Sequence, residues 1–156
     1  MAITDPSDTV QAQTTNYYRQ LEARAPIGDV VFQAVGFSVG RGGYNPADPV
    51  HIVPVDPTAT ALMDQVYPAP TGFASFQEID TPGDASVVVY NCRLPATPVA
   101  SNADYGLGEI GIWGQVLQSK SNPLEVGTYF LIAIGHMPIR AKTNRDVILF
   151  RVVVNY

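Results

Sequence analysis

The chain has 156 residues, of which 46% are hydrophobic and 15% are charged, and its formal net charge is −5. This size fits one domain, and the low charge excludes a disordered chain. The acidic balance also excludes a nucleic-acid-binding protein, which needs basic residues clustered to neutralise several phosphates. The tightest basic group, formed by Arg140, Lys142 and Arg145, is typical of a solvated loop.

Cysteine content and hydropathy limit the setting in which the chain folds. The single cysteine, Cys92, excludes an internal disulfide and a thiolate metal site, and its apolar run VVVYNCRL predicts a buried thiol. The start of the chain lacks the basic and apolar segments of a signal peptide, and no stretch reaches the roughly 18 apolar residues of a membrane span. We expect folding in a cytosol and no membrane contact.

The first segments predict an arm and then a helix. Residues 1–8 are polar and predict an N-terminal arm, which leaves residues 9–156 as one domain. Apolar and aromatic side chains then recur at spacings of three and four, which predicts an amphipathic helix over residues 9–24. The side chains of this face are Val10, Thr14, Tyr17, Tyr18 and Leu21. Asp8 or Thr9 can cap the helix, and Pro26 and Gly28 end it.

The middle of the chain predicts a central strand, a loop and a second helix. Residues 30–40, VVFQAVGFSVG, are apolar on both strand faces, so we expect them at the centre of a sheet or sandwiched between layers. The glycines and prolines of RGGYNPADP predict a loop over residues 41–49, and Pro54 places HIVPV at a sheet edge or outside the sheet. Asp56 and Pro57 are helix-start signals that predict a helix up to Tyr67.

The second half of the chain predicts strands. Residues 73–80 and 85–94 read as a hairpin around the turn Thr81-Pro82-Gly83-Asp84, and strands follow at 107–117, 127–137 and 145–156. The last strand is so apolar that it must lie at the sheet centre or in an interface. The predicted fold class is therefore α+β, an antiparallel or mixed sheet of five to seven strands with two short helices in the N-terminal half.

Catalytic and metal-binding patterns are missing from the sequence. His51 lies in a proline-flanked segment and His136 at a strand end, and neither belongs to an HxH or HExxH pattern. Glu109 lies in the strand LGEIGIWG, where its parity predicts a face turned to solvent or to a partner's cation; a buried general acid is the alternative. The sequence therefore predicts no enzyme, no catalytic residue, no metal and no cofactor.

Several short motifs follow one another along the chain. Their positions are Val35-Gly36, Thr60, Leu62, Val66-Tyr67, Glu109-Ile110-Gly111-Ile112, Ala133-Ile134-Gly135 and Pro138. In this order they resemble the N-terminal domain of bacteriophage tail-collar fibre proteins, and the resemblance covers about residues 10–154. The resemblance implies a structural protein of the virion tail, collar or baseplate that is assembled in the host cytoplasm. Its implied role is that of an adaptor attaching fibres or neighbouring subunits to the tail.

The low charge and the apolar strands independently favour contact with other proteins and a homo-oligomer. We expect the interface to use the arm, the helix face with Tyr17, Tyr18 and Leu21, and the loop with Arg41 and Tyr44. For Tyr17 and Tyr18, packing on the chain's own sheet is the alternative.

Two other functions remain open from the sequence. A carbohydrate-binding module at the tail tip needs aromatic platforms, which Trp113, Tyr105 or Tyr44 can supply. A small hydrolase is the third hypothesis.

Overall fold

The computed structural model describes residues 9–45, 47–69, 71–75, 78–80, 86–95, 105–142 and 148–156. The predicted arm, the hairpin turn at 81–84 and Arg145 lie outside these residues. The strands are β1 (Thr9–Thr14), β2 (Val30–Gly40), β3 (Tyr44–Asn45), β4 (Asp48–Ile52), β5 (Gln65–Tyr67), β6 (Glu78–Asp80), β7 (Val87–Leu94), β8 (Tyr105–Ser119), β9 (Tyr129–Lys142) and β10 (Ile148–Asn155). The helix α1 spans Asn16–Arg24.

The main sheet is mixed, with the strand order β5-β2-β8-β9-β1-β10-β7-β6. Strand β1 runs parallel to β10, and the other pairings are antiparallel. Six of its strands have six or more residues, whereas the outermost strands β5 and β6 have three each. Strands β3 and β4 form a separate ribbon. The predicted α+β class is confirmed in outline.

The sheet is curled, because its two edges are joined by a short stretch of chain. Ala74 forms a bridge to Phe37 of β2, with N–O distances of 2.8 Å in both directions. Glu78 pairs with Asn91 of β7, near the opposite end of the strand order. The four Cα–Cα steps from Ala74 to Glu78 can span at most about 14 Å. The edges therefore lie close to each other, and the sheet wraps around its core.

The predicted first helix is wrong in its first part. Burial alternates along residues 9–14, with Val10, Ala12 and Thr14 inside, which is the period of a strand. These residues form β1, which fills the space between β9 and β10. The helix begins only after Thr15, whose Oγ accepts the Tyr18 N–H at 3.2 Å and donates to the Leu131 carbonyl at 2.6 Å. A short 3-10 turn follows α1 and ends at Gly28, as predicted.

The predicted second helix is absent, although Asp56 makes the hydrogen bonds expected at the start of a helix. Asp56 Oδ1 accepts the N–H and the hydroxyl of Thr58 at 2.9 and 2.7 Å, which is the hydrogen bonding of a helix cap. The chain nevertheless continues as a turn and then as β5. The backbone N–H groups of Met63 and Asp64, which a helix would need, donate instead to the side chain of Glu109. These tertiary hydrogen bonds override the local signal.

The core lies on the concave side of the sheet, where α1 covers part of it. Strand β10 lies between β1 and β7 with alternate residues buried, so the prediction of a central C-terminal strand is confirmed. A smaller cluster lies on the opposite face, where Leu62 packs on Leu131 and Ile134. The start of β2 pairs with the end of β8, since Val30 lies opposite Ser119. The start of β2 and the connection between β8 and β9 therefore lie at the same end of the sheet.

Candidate interaction surface

A network of polar side chains shapes the connection between β8 and β9. Glu125, at the end of a 3-10 turn (Pro123–Glu125), is 8% exposed. Its Oε1 accepts hydrogen bonds from Arg24 Nη2 and Ser119 Oγ, both at 2.6 Å, and its Oε2 accepts the hydroxyl of Tyr17 at 3.1 Å. The pKa of Glu125 is held below its usual range, mainly by the bond from Arg24. The turn is thereby fixed to the end of α1.

Asp29 extends this network to the start of β2. It accepts the Ser121 hydroxyl at 2.7 Å, the Ser121 N–H at 2.8 Å and Arg24 Nε at 2.5 Å. The hydrogen bonds from Ser121 and then from Arg24 lower the pKa of Asp29 to about 2. Arg24 therefore bridges two carboxylates that are ionised at neutral pH.

Apolar side chains point outward from this network. Nine large hydrophobic side chains are exposed in the described part of the chain, and six of them lie in residues 27–31 and 117–130. We call these two segments the Leu124 end. The six are Ile27, Val31, Leu117, Leu124, Val126 and Tyr129. Leu124 is 91% exposed because its neighbour Glu125 turns inward to Arg24. Single exposed apolar residues are ordinary, but a group of six at one end marks a contact surface.

An apolar groove of about 490 Å³ lies at the Leu124 end. Tyr17 and Phe130 line it with their rings 5.4 Å apart, and Ala59 and Leu124 also belong to its lining. Tyr129, which also lines it, packs against Phe73 with a centroid distance of 5.0 Å. The groove has room for one or two apolar side chains from another molecule, and it offers aromatic surface to them.

The helix residues predicted for an interface divide between this groove and the core. Tyr17 lines the groove. Tyr18 and Leu21 are 8% and 0% exposed within the chain itself, so their prediction as interface residues is wrong. The ring of Tyr18 packs on Phe32 and Tyr156, which is the alternative of packing on its own sheet. The helix uses its apolar face to close the core, and its polar face, with Arg19 and Glu22, is exposed.

The predicted loop residues Arg41 and Tyr44 lie elsewhere, beside the middle of β8. Arg41 is exposed and its Nε lies 3.0 Å from Asp64 Oδ2, an ion pair at the surface. Tyr44 is half-buried, and its ring would meet any side chain built on Gly108. Arg41 and Tyr44 therefore share no surface with Tyr17, and their role in an interface stays a prediction.

Glu109 is fully buried, and its predicted orientation toward solvent or a partner's cation is wrong. Its Oε2 accepts the N–H groups of Gly42 and Asp64 at 2.9 and 2.8 Å, and its Oε1 accepts that of Met63 at 2.8 Å. We call Glu109 with these backbone groups the Glu109 latch. It joins the loop after β2 to the segment before β5, so its role is structural.

Glycines let the latch close. A Cβ on Gly42 would lie 2.5 Å from Met63 Cβ, and one on Gly108 would lie 2.1 Å from the Gly42 carbonyl oxygen. Gly43 has a φ of +91°, and a Cβ there would lie 2.2 Å from the Gly108 carbonyl oxygen. Gly42, Gly43 and Gly108 thus permit close backbone approach.

The described residues hold no group of three or more His, Cys, Asp or Glu side chains placed to bind a metal. His136 donates from Nδ1 to the Val53 carbonyl at 2.6 Å, and burial raises the pKa of the Cys92 thiol. Trp113, considered above as a sugar platform, is half-buried and donates its indole N–H to Ser38 at 2.8 Å. The side chains of His51 and Tyr105 lie outside the described part.

The sequence reasoning missed the central residue of the surface, Leu124. The segment SKSNPLEVG has the residue types of a loop, and these types predict no further role. The available signal is an isolated leucine between a proline and a glutamate in an otherwise polar turn. A large apolar side chain in such a turn has no strand or helix face to pack on.

No protein-family model, curated protein or solved structure matches the chain. Within the described residues, no helix has the length and hydropathy to cross a membrane.

Proposed function

We propose that this chain is a structural adaptor of a bacteriophage tail or baseplate, which holds neighbouring subunits or fibres through the Leu124 end. The observation that carries the proposal is that six of the nine exposed large hydrophobic side chains of the described residues lie at the Leu124 end, where Leu124 and Tyr129 line an apolar groove. Burial of exposed apolar surface favours association. A free monomer leaves this surface in contact with water.

Three of the segments that carry the tail-collar resemblance pack against one another, and this supports the proposal. Ile110, Gly111 and Ile112 pair in register with Gly135, Ile134 and Ala133. Leu62 packs on Ile134, and its Cδ2 would lie 3.1 Å from a Cβ on Gly111.

Electron microscopy of virions tests the adaptor role. An antibody against this chain should decorate the tail or baseplate of virions from the phage that encodes it. Virions with Leu124→Asp should lose this decoration or lack fibres, whereas Ile52→Asp, at a half-exposed position outside the Leu124 end, should not change it. Unlabelled virions with complete tails would contradict the proposal.

A carbohydrate-binding module is the second candidate. The groove combines the aromatic rings of Tyr17 and Tyr129 with the polar side chains Asn122 and Thr128, which are residue types of sugar sites. A glycan array separates the two functions: binding that Tyr129→Ala abolishes favours the sugar module, and an array without a hit excludes it.

A further inference from the structure

We infer that the occupant of the groove is Leu124 of a second copy of this chain, in a two-fold symmetric dimer. The inference rests on the proposed function for this surface and names its partner. The most exposed large hydrophobic side chain, Leu124, and the apolar groove belong to one patch. In a two-fold interface the same patch meets itself, so a projection beside a hollow is self-complementary.

Charge favours a second copy at this end. The whole chain carries −5, so two copies repel each other over most of their surface. The charged side chains of the Leu124 end are Asp29, Lys120 and Glu125, which sum to −1. Arg24, at the end of α1, pairs directly with both carboxylates and brings the local sum to zero. Two Leu124 ends can therefore meet without bringing like net charges together.

A stable interface needs more surface than the groove provides. A standard interface uses about 800 Å² and roughly 20–30 residues on each partner. Ten residues line the groove, so the remaining area must come from beside it. Ile27, Val31, Leu117 and Val126 provide exposed apolar surface in the same two segments. Their exposure is explained if the second copy covers them together with the groove.

Sedimentation velocity of the purified full chain across a wide concentration range tests the dimer. We expect the unaltered chain to dimerise and Leu124→Asp to raise the dissociation constant by at least about 100-fold, because symmetry removes two central contacts at once. The matched control is Ile52→Asp, which adds the same charge at a residue that is 50% exposed, and it should dimerise normally. A monomeric unaltered chain, or a dimer that Leu124→Asp leaves intact, overturns the inference.

Cross-linking tests the geometry. Leu124→Cys and Ala59→Cys chains, mixed under mild oxidation, should form a disulfide between the two variants, since Ala59 lines the groove and the native Cys92 is buried. A mixture that forms no such cross-linked pair overturns the two-fold arrangement.

The virion experiment separates this inference from the adaptor role. A chain that decorates tails but stays monomeric in solution keeps the adaptor role and overturns the dimer. A chain that dimerises through Leu124 but is absent from virions keeps the dimer and contradicts the adaptor role.

Discussion

The Glu109 latch and the Leu124 end are both built around a buried glutamate, but the donors differ. Glu109 takes its hydrogen bonds from three backbone N–H groups. Glu125 takes its bonds from the side chains of Arg24, Ser119 and Tyr17. Backbone donors tie two chain segments together, so the latch closes a loop. Side-chain donors hold a turn at the surface, where they leave its apolar neighbours exposed.

The difference separates a residue that maintains the fold from one that shapes a surface. Substitution at the latch should lower the stability of the folded chain. Substitution at the apolar side chains of the Leu124 end should leave that stability almost unchanged and alter association. Unfolding experiments on matched variants can test this division.

The largest effect is expected for Glu109→Gln. Each carboxylate oxygen accepts at least one backbone N–H, so the amide nitrogen of glutamine must face a donor at either position. A buried donor left without an acceptor, together with weaker remaining bonds, should lower the free energy of unfolding by about 3 kcal/mol. Urea denaturation measures this loss.

Asp64→Asn is the matched control for this substitution. Asp64 belongs to the same region, but its side chain is 50% exposed and pairs with Arg41 at the surface. Loss of this pair should cost no more than about 0.5–1 kcal/mol. Equal losses for Glu109→Gln and Asp64→Asn would mean that the latch does not stabilise the fold.

Two glycines sharpen the comparison between the regions. Gly43 in the latch and Gly127 at the Leu124 end both have positive φ, +91° and +85°. A Cβ on Gly127 meets nothing within 4 Å, so Gly127→Ala carries only the backbone strain of about 1–2 kcal/mol. Gly43→Ala adds a clash with backbone and should cost about 1 kcal/mol more than Gly127→Ala in urea denaturation. Similar losses for both variants would show that the latch loop can move aside.

Acid should weaken the Leu124 end through Asp29 and Glu125. Their folded pKa values lie below the unfolded ones, so the stability that they contribute is present above about pH 4 and is lost as the pH falls toward about 2. Arg24→Gln removes a cause of both shifts. The gap in unfolding free energy between the unaltered chain and Arg24→Gln should therefore narrow as the pH falls through this window.

Arg151→Gln serves as the control for the acid experiment, because Arg151 is an exposed arginine on β10. Its unfolding free energy should follow that of the unaltered chain in parallel over the same pH range. A gap for Arg24→Gln that stays constant down to about pH 2 would contradict the role of the network in lowering the pKa of Asp29.

Sequence reasoning was most successful where long apolar runs decide the structure. The central position of β10 followed from its nearly continuous apolar residues, and the main strands β2, β7, β8 and β9 overlap the predicted ones. Such runs must be covered on both sides, which leaves few places in a sheet. The end of α1 also followed from local chemistry, since Gly28 supplies the left-handed cap.

The remaining features depend on contacts between distant segments. Thr9 to Thr14 fit a helix by spacing, but β9 and β10 supply partners that make them a strand. The donors of Glu109 come from residues 42, 63 and 64, far away in sequence. Exposure of Leu124 depends on an ion pair between α1 and the turn before β9. For β1 and for the donors of Glu109, no local pattern contains this information.

The smallest effect on the folded chain itself is expected for Leu124→Asp. Its side chain is 91% exposed, so at low protein concentration its unfolding free energy should match that of the unaltered chain within about 0.5 kcal/mol. Dimerisation stabilises a fold in proportion to the logarithm of concentration. The thermal midpoint of the unaltered chain should therefore rise with concentration, while that of Leu124→Asp stays constant. Parallel behaviour of both proteins would place the contact surface elsewhere and remove the distinction between the two regions.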